Sequence, residues 1–168
     1  NIITDIIESI NNNSELKTKI YLFQGLPKKD KFELIIQKAV ELGVYEIIPV
    51  MTARTIVKLD EKKEHKKGNR WDSIAESAAK QANRGIIPKI AAPLSFKEAI
   101  RYANQLDMNI IPYEMASDIT KSKDIIHNIN CSSVGVFIGP EGGFEESEIN
   151  MAIENNVIPI TLGKRILR

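Results

Sequence analysis

The alternation of strand-like runs with helical patterns is the feature that most constrains this fold. Residues 19–24 read as a strand, and residues 44–50 read as a second, buried strand. Between them, residues 30–42 carry one apolar stripe at helical spacing. Asp30 and Glu33 have capping-box spacing, and Gly43 suits the position after a last helical turn. Strand, helix and strand in this order predict a right-handed βαβ unit with two parallel strands.

The same alternation continues along the chain. It predicts helices over residues 70–84, 95–106, 118–129 and 145–155, and strands over residues 89–92, 108–113, 133–138 and 157–162. The expected fold class is α/β, with a mostly parallel sheet of five to six strands and helices on both faces. The first 18 or so residues do not fit the alternation and are expected to be the remnant of a preceding module.

Composition excludes some classes of protein. No apolar run approaches the roughly 20 residues that a membrane span needs. No signal peptide is visible at the start, and a single cysteine, Cys131, rules out an intramolecular disulfide and fits a reducing compartment. We therefore expect a cytoplasmic protein.

A glycine-rich stretch follows the predicted strand at residues 133–138. Its sequence is Gly-Pro-Glu-Gly-Gly, residues 139–143, and a predicted helix begins directly after it. Ligands of open α/β sheets bind at the carboxyl ends of the strands, and glycines let a backbone approach a ligand closely. The spacing alone is equally compatible with a tight turn that binds nothing. A second loop with a glycine, residues 162–168, follows the last predicted strand.

The clustered basic residues and the arginines near the predicted strand ends can be either structural or functional. Net charge is only +1, but residues 52–70 contain seven basic and three acidic residues. This segment is either a solvated loop or an arm that contacts phosphates. Arg54 follows a strand end, where ligands bind. Arg84, near the end of a predicted helix, either caps carbonyl groups or lies over a neighbouring site.

Several chemistries lack their motifs. Only two histidines and one cysteine are present, without the spacing of a zinc site, so no metal is expected. The phosphate-binding motif of nucleotide triphosphatases, the dinucleotide motif Gly-x-Gly-x-x-Gly and the serine hydrolase motif Gly-x-Ser-x-Gly are all absent. What remains is a backbone-rich pocket with arginines around it, which suits a zwitterionic ligand and an anionic or RNA-like second substrate.

Five segments together resemble one family. They are Lys28-Lys-Asp-Lys-Phe-Glu-Leu-Ile-Ile-Gln-Lys-Ala-Val-Glu-Leu-Gly43, Pro49-Val-Met-Thr-Ala-Arg54, Arg70-Trp71 with Ala78-Ala-Lys-Gln81 and Arg84, Gly139-Pro-Glu-Gly-Gly-Phe144, and Leu162-Gly-Lys-Arg-Ile-Leu-Arg168. In this order they resemble the bacterial ribosomal RNA small subunit methyltransferase E family, within the trefoil-knotted (SPOUT) class. Members methylate N3 of a uridine in 16S ribosomal RNA with S-adenosylmethionine as cofactor.

The resemblance implies a C-terminal trefoil knot, a homodimer, and 16S ribosomal RNA, within the assembled small subunit, as the substrate. The implied cofactor-binding residues lie in three loops: Tyr113, Glu114, Gly139, Pro140, Glu141, Gly142, Gly143, Leu162, Gly163, Ile166, Leu167 and Arg168. The implied RNA-binding residues are Lys28, Lys29, Arg54, Lys58, Arg70, Gln81 and Arg84.

The expected catalytic residues are Arg54, Arg84 and Glu141. The N3–H of uridine is a weakly acidic imide, so its methylation requires loss of a proton and stabilisation of charge on the ring oxygens. An arginine is suited to stabilise that charge, with Arg54 the first candidate and Arg84 the second. Glu141 is expected to orient the pocket, because a carboxylate is a poor base for so weak an acid unless burial raises its pKa.

The chain departs from the family pattern in three respects. Only the last segment of the usual N-terminal RNA-binding barrel of PUA type, residues 1–18, is expected, followed by a methyltransferase domain at residues 19–168. That domain is expected to lack its last C-terminal segment, and Glu145 stands where Ser or Thr is usual. The alternatives are a knotted methyltransferase for another RNA, a small-molecule enzyme with the same pocket, and an RNA-binding ribosome-assembly protein without catalysis.

Overall fold

The computed structural model describes residues 7–8, 14–28, 31–55, 61–113 and 119–163, with only the backbone described for residues 61–67. Strands and helices alternate as the apolar spacing predicts. The strands are β1 (Lys19–Gly25), β2 (Glu46–Met51), β3 (Lys89–Ile90), β4 (Leu94–Ser95), β5 (Met108–Pro112), β6 (Ser133–Ile138) and β7 (Val157–Ile160). The helices are α1 (Lys31–Glu41), α2 (Glu61–Gln81), α3 (Phe96–Ala103), α4 (Ile119–His127) and α5 (Glu146–Glu154).

All strand pairs in the described part of the chain are parallel. The strand order is β3-β2-β1-β6-β5-β7, and β4 also pairs with β2. The sheet has seven strands rather than the predicted five to six. The additional strand is β4, which is separated by Pro93 from β3, the shortened form of the strand predicted at residues 89–92, and both strands have two residues. Proline has no N–H to donate, so one longer strand cannot run through this position.

Helices cover both faces of the sheet, as predicted. On one face, Phe32 of α1 and Trp71 of α2 pack edge to face with ring centroids 4.6 Å apart, within a cluster that also contains Ile36, Val40 and Ala75. On the other face, α3 and α5 bury a second cluster. Its members include Phe96, Ala99, Ile100, Ala103, Ile149 and Ala152.

Helix α2 starts earlier than predicted, the predicted cap of α1 lies outside the described residues, and the cap of α3 is as predicted. Helix α2 begins at Glu61, so the second half of the basic segment 52–70 is helical rather than loop, and residues 56–60 lie outside the described residues. Asp30 lies outside them as well, and the Glu33 carboxylate pairs with Arg70. The capping box of Ser95 and Glu98 is confirmed by their reciprocal hydrogen bonds.

The central strands β1 and β6 align the site. Phe23 of β1 lies opposite Phe137 of β6, and their rings stack with centroids 4.4 Å apart. Both side chains are fully buried. Because the two strands are parallel and in register, they end side by side. The loops that follow them therefore meet at one edge of the sheet, called the carboxyl edge below.

Candidate functional site

Several described segments follow strands at the carboxyl edge. After β1 comes the segment at residues 26–28, after β2 the turn at residues 52–55, after β5 Tyr113, after β6 the loop at residues 139–143, and after β7 residues 161–163. We call residues 139–143 the glycine loop and residues 52–55 the arginine turn. Parallel strands bring these segments to a single edge, as the sequence pattern predicts.

The glycine loop is a tight turn that requires glycine at several positions. The Gly143 N–H donates to the Pro140 carbonyl at 2.8 Å, and Gly143 has a φ of 67°, in the left-handed region. A Cβ built on Gly139 would lie 3.1 Å from the Gly143 Cα, closer than side chains normally approach. A Cβ on Gly143 would meet no atom within 4 Å. The loop is therefore closed on itself and leaves open space beside its backbone.

The end of β1 supports this loop from below. A Cβ on Gly25 would lie 2.5 Å from the Pro140 Cδ, so the two backbones touch. The buried Gln24 side chain donates from Nε2 to the Gly25 carbonyl at 2.9 Å and lies 3.4 Å from the Gly139 carbonyl. Gln24 was missed from the sequence. The sequence signal for Gln24 is a glutamine at the end of a predicted strand and directly before a glycine.

Arg54 reaches the glycine loop directly. Its Nη1 donates to the Gly142 carbonyl at 2.6 Å, and a Cβ on Gly142 would lie 3.4 Å from the Arg54 Cβ. The Thr52 N–H donates to the Thr55 Oγ1 at 2.9 Å, and the Thr55 N–H donates to the Thr52 carbonyl at 2.9 Å. The arginine turn is thus closed by its own hydrogen bonds. The predicted position of Arg54, beside the loop that follows β6, is confirmed.

Glu141 binds the segment after β1. Its Oε1 accepts from Lys31 Nζ at 2.9 Å, and both of its oxygens accept from the Lys28 N–H, at 3.3 and 3.2 Å. The hydrogen bond from Lys31 is the main cause that lowers the pKa of the Glu141 carboxyl to about 2. A carboxylate with this pKa is a poor proton acceptor at neutral pH. The contacts of Glu141 hold the glycine loop, which fits its expected role of orienting the pocket better than a role as proton acceptor.

Arg84 lies at the opposite, amino edge of the sheet. Its side chain is 3% exposed and donates from Nη1 to the carbonyls of Val40 and Val44 at 3.1 and 2.7 Å. Its Nη2 donates to Glu15 Oε2 at 2.6 Å. Of the two interpretations of Arg84, these contacts favour carbonyl capping, and they keep its side chain away from the carboxyl edge, where the predicted catalytic or RNA-binding role would need it. Gln81, exposed at the end of α2, also lies toward this edge.

The remaining predicted residues divide into described and undescribed ones. The Tyr113 N–H donates to the Ile160 carbonyl at 2.9 Å, which aligns the ends of β5 and β7. Leu162 is 53% exposed, and Gly163 has a φ of 114° with no atom within 4 Å of a built Cβ. Arg70 is an exposed partner of Glu33, with Nε 2.6 Å from Oε1. Six predicted residues lie outside the described residues: Lys29, Lys58, Glu114, Ile166, Leu167 and Arg168.

Glu148 is a further buried group that the sequence analysis missed. It is 7% exposed, and its oxygens accept from the Ala53 and Glu145 N–H groups. Its position three residues after Glu145 is the signal, because this is the spacing of a capping box.

Two features missing from the described residues bear on the kind of site. No group of three or more His, Cys, Asp or Glu residues among them could hold a metal ion. No helix in the described ranges is long and apolar enough to cross a membrane. What the carboxyl edge offers is backbone polar groups of glycine-containing turns, open space beside Gly143 and Gly163, and an exposed arginine.

Comparison with known proteins identifies relatives. The sequence matches the RNA methyltransferase domain family over residues 14–168. A relative from Bacillus subtilis, named ribosomal RNA small subunit methyltransferase E, is 40% identical over 97% of this chain and 65% of its own length. A relative of the same name from Mesomycoplasma hyopneumoniae is 40% identical over 98% of this chain and 70% of its own length.

Solved structures agree with these relatives. A Neisseria gonorrhoeae structure of the same name, bound to S-adenosyl methionine, superimposes with a TM-score of 0.82 at 32% identity. The match covers 95% of this chain and 64% of that one. The chain thus spans about two thirds of the length of the relatives it matches.

Proposed function

Because the chain belongs to the RNA methyltransferase family that includes ribosomal RNA small subunit methyltransferase E, we propose that it transfers a methyl group to N3 of a uridine in 16S ribosomal RNA. The methyl donor is S-adenosylmethionine. The observation that carries the proposal is the contact of Arg54 with the Gly142 carbonyl. It joins the one exposed arginine of the arginine turn to a glycine loop in a fold that a cofactor-bound relative shares.

The glycine-containing segments fit this cofactor. Gly143 and Gly163 have left-handed backbones, and the space that a side chain would fill beside each is open. Tyr113, Leu162 and the glycine loop would surround the methionine and adenosine parts, together with Glu114 and residues 166–168. Backbone N–H and carbonyl groups suit the zwitterionic methionine end and the adenine edge. When bound, S-adenosylmethionine supplies a methyl group that its sulfonium has already activated.

The protein then contributes position and electrostatics. Placing N3 in line with the methyl group makes the reaction effectively unimolecular. This lowers the entropic part of the activation barrier. Arg54 would hold a carbonyl oxygen of the uracil and stabilise the negative charge that spreads there as N3 loses its proton to solvent. Glu141, whose carboxyl has a pKa of about 2, keeps the glycine loop attached to the segment after β1.

The RNA substrate and the assembly follow from the same proposal. Exposed basic residues near the carboxyl edge, Lys28 and Arg70, would contact phosphates together with Lys29 and Lys58. We infer a homodimer with a C-terminal trefoil knot, in which RNA lies across the subunit boundary. We also infer that the enzyme works in the cytoplasm on the assembled small subunit, and that residues 1–18 contain the C-terminal remnant of a PUA-like RNA-binding domain.

The direct test is transfer of labelled methyl groups from S-adenosylmethionine to small ribosomal subunits that lack the modification, followed by mapping of the base. The full-length protein should label a single uridine at N3. Labelling of another RNA or base would support the related knotted methyltransferases instead. Cofactor binding without any transfer would contradict the catalytic proposal and leave RNA binding as the function.

Arg54→Ala is expected to lower kcat by about 10²- to 10³-fold, the usual effect of losing one donor that stabilises transition-state charge. The dissociation constant for S-adenosylmethionine should change much less, since Arg54 contacts the glycine loop through one carbonyl. Arg101→Ala is the matched control, because Arg101 is an exposed arginine in the last turn of α3. Equal losses of turnover and cofactor affinity in Arg54→Ala would indicate a structural arginine.

A further inference from the structure

A buried carboxylate connects the arginine turn with the helix that follows the glycine loop. Glu148, in the first turn of α5, is 7% exposed. Its Oε1 accepts from the Ala53 N–H at 2.9 Å, and its Oε2 accepts from the Glu145 N–H at 2.9 Å. Ala53 directly precedes Arg54 in the chain. One side chain therefore uses both oxygens to join two segments that are 95 residues apart along the chain.

The arginine turn needs an external support. Its internal hydrogen bonds between Thr52 and Thr55 close the turn but do not fix its direction relative to the glycine loop. Two contacts do so: Ala53 with Glu148, and Arg54 with the Gly142 carbonyl. The two contacts come from neighbouring residues. Ala53 contacts the first turn of α5, and Arg54 contacts the glycine loop that precedes this helix.

The backbone contact matters because an arginine side chain is long. Ordering such a side chain costs rotamer entropy, so a single hydrogen bond to a carbonyl is a weak restraint. Fixing the backbone at Ala53, one residue before Arg54, restricts the positions that the Arg54 guanidinium can occupy. A buried carboxylate that accepts from two N–H groups is also a strong restraint, since hydrogen bonds to charged groups are about twice as strong as neutral ones.

We propose that Glu148 is a positioning residue, which holds the arginine turn so that the Arg54 guanidinium lies over the glycine loop. This inference rests on the proposed function for its consequence in turnover. Glu148 itself is buried beneath the turn and acts only through Arg54. Both side-chain oxygens must be acceptors in this position, because each accepts from a backbone N–H. In Glu148→Gln, one acceptor becomes an NH₂ donor that faces a backbone N–H.

A double-mutant cycle in the full-length protein tests the inference. Glu148→Gln should lower kcat by about 100-fold, the cost of displacing a reacting group by about 1 Å. The double variant with Arg54→Ala should be no slower than Arg54→Ala alone, because Glu148 has no effect once the guanidinium is gone. Glu146→Gln is the control, since Glu146 is an exposed acid in the same helical turn, and its kcat should stay within about twofold of the unchanged protein.

Two further results decide the matter. If the losses of the two single variants multiply in the double variant, or if Glu148→Gln keeps full activity, the inference is overturned. Glu148→Asp keeps the charge at the helix start and serves if Glu148→Gln does not fold. Its shorter side chain cannot reach both N–H groups, so the same loss of kcat is expected.

Crystal structures of these variants give a readout that does not depend on activity. The Arg54 Nη1 to Gly142 carbonyl distance, 2.6 Å in the unchanged protein, should exceed hydrogen-bond range in Glu148→Gln and Glu148→Asp. An unchanged distance overturns the inference even if the proposed function holds. A lengthened distance in a protein without methyl transfer supports the positioning role while contradicting the proposed function.

Discussion

A buried guanidinium needs partners for both its charge and its N–H groups, and Arg84 has them. Glu15 neutralises it with hydrogen bonds from Nε and Nη2 at 3.3 and 2.6 Å, and the carbonyls of Val40 and Val44 accept from Nη1. The hydrogen bond from Arg84 is also the main cause that lowers the pKa of the Glu15 carboxyl. The pair links residues ahead of β1 to the ends of α1 and α2.

Glu15→Gln is expected to lower the free energy of unfolding at pH 7 by about 2 kcal/mol, because a hydrogen bond to a charged partner is lost and Arg84 remains buried. Since folding lowers the Glu15 pKa below 4.5, its contribution is complete above pH 4.5 and is lost as the pH falls through the folded-state value. The difference between the two proteins, measured by urea unfolding from pH 7 to pH 3, should therefore shrink in acid.

Glu76→Gln is the matched control for this measurement. Glu76 forms an exposed pair with Lys80 on α2, at 2.6 Å and with half of its side chain exposed. Exposed pairs contribute little, so its unfolding free energy should equal that of the unchanged protein within error. A Glu15→Gln difference that stays constant with pH would contradict the role assigned to the Glu15 charge.

At this scale, the sequence predicts some site residues and not others. The position of Arg54 was predictable because it follows the end of β2 by three residues. Residues so close to the end of a parallel strand must lie near the carboxyl edge of the sheet. Arg84 was not, since its role depends on Glu15, which is 69 residues away in the chain. Glu141 resembles a pocket carboxylate by motif, but only the fold reveals that Lys31 lowers its pKa.

At the scale of elements, the glycine loop is held by the strand beneath it. β1 ends in Gly25, and this glycine leaves no room for a Cβ because Pro140 packs against it. Tight contact of two backbones transmits any displacement of β1 to the loop after β6. The site is therefore a property of the β1–β6 pair as much as of the glycine loop itself.

Gly25→Ala should destabilise the protein by about 1 to 3 kcal/mol, the usual cost of overpacking, and should weaken binding of S-adenosylmethionine. Gly68→Ala makes the same chemical change in α2, where a Cβ meets no atom within 4 Å. It should stabilise the protein by about 1 kcal/mol, since alanine favours a helix over glycine. Thermal unfolding and calorimetric titration with the cofactor measure both effects. Equal behaviour of the two variants would refute the contact.

Elements with clear local limits were predictable, whereas the start of α2 and the two-residue strand β4 were not. The limits of β6 and the helix at residues 146–154 agree with the sequence because buried runs and capping positions define them locally. The pairing of β4 with β2 has two residues on each side and no local signal. This pairing forms only because the chain after Pro93 lies beside β2 again, and tertiary packing determines that position.

At the scale of the whole molecule, the packed unit extends ahead of β1. The Thr18 hydroxyl donates to the Cys131 carbonyl at 2.8 Å, and a Cβ on Gly43 would lie 2.9 Å from Leu16 Cδ1. Together with Glu15, these contacts attach residues 14–18 to the sheet. They lie before residue 19, the predicted start of the domain, and agree with a family match that begins at residue 14.

Two truncations locate this boundary. Removal of residues 1–18 should lower Tm more than removal of residues 1–13, because only the longer truncation takes Glu15 away from the buried Arg84. The additional loss should be about 3 kcal/mol, as for one partner of a buried ion pair. In a chain of this size that lowers Tm by about 6 to 12 °C. Equal Tm values for the two truncated proteins, measured by calorimetry, would place the boundary at residue 19.

The central position of β1 has a consequence for synthesis on the ribosome. β1 pairs with β2, which follows it closely, but its other neighbour is β6, and Gln24 and Ile138 are 114 residues apart. At 5 to 20 residues per second, β6 leaves the ribosome roughly 6 to 23 s after β1. For that time one side of β1 has no strand to pair with, and the nascent chain carries an open edge that can pair with other chains.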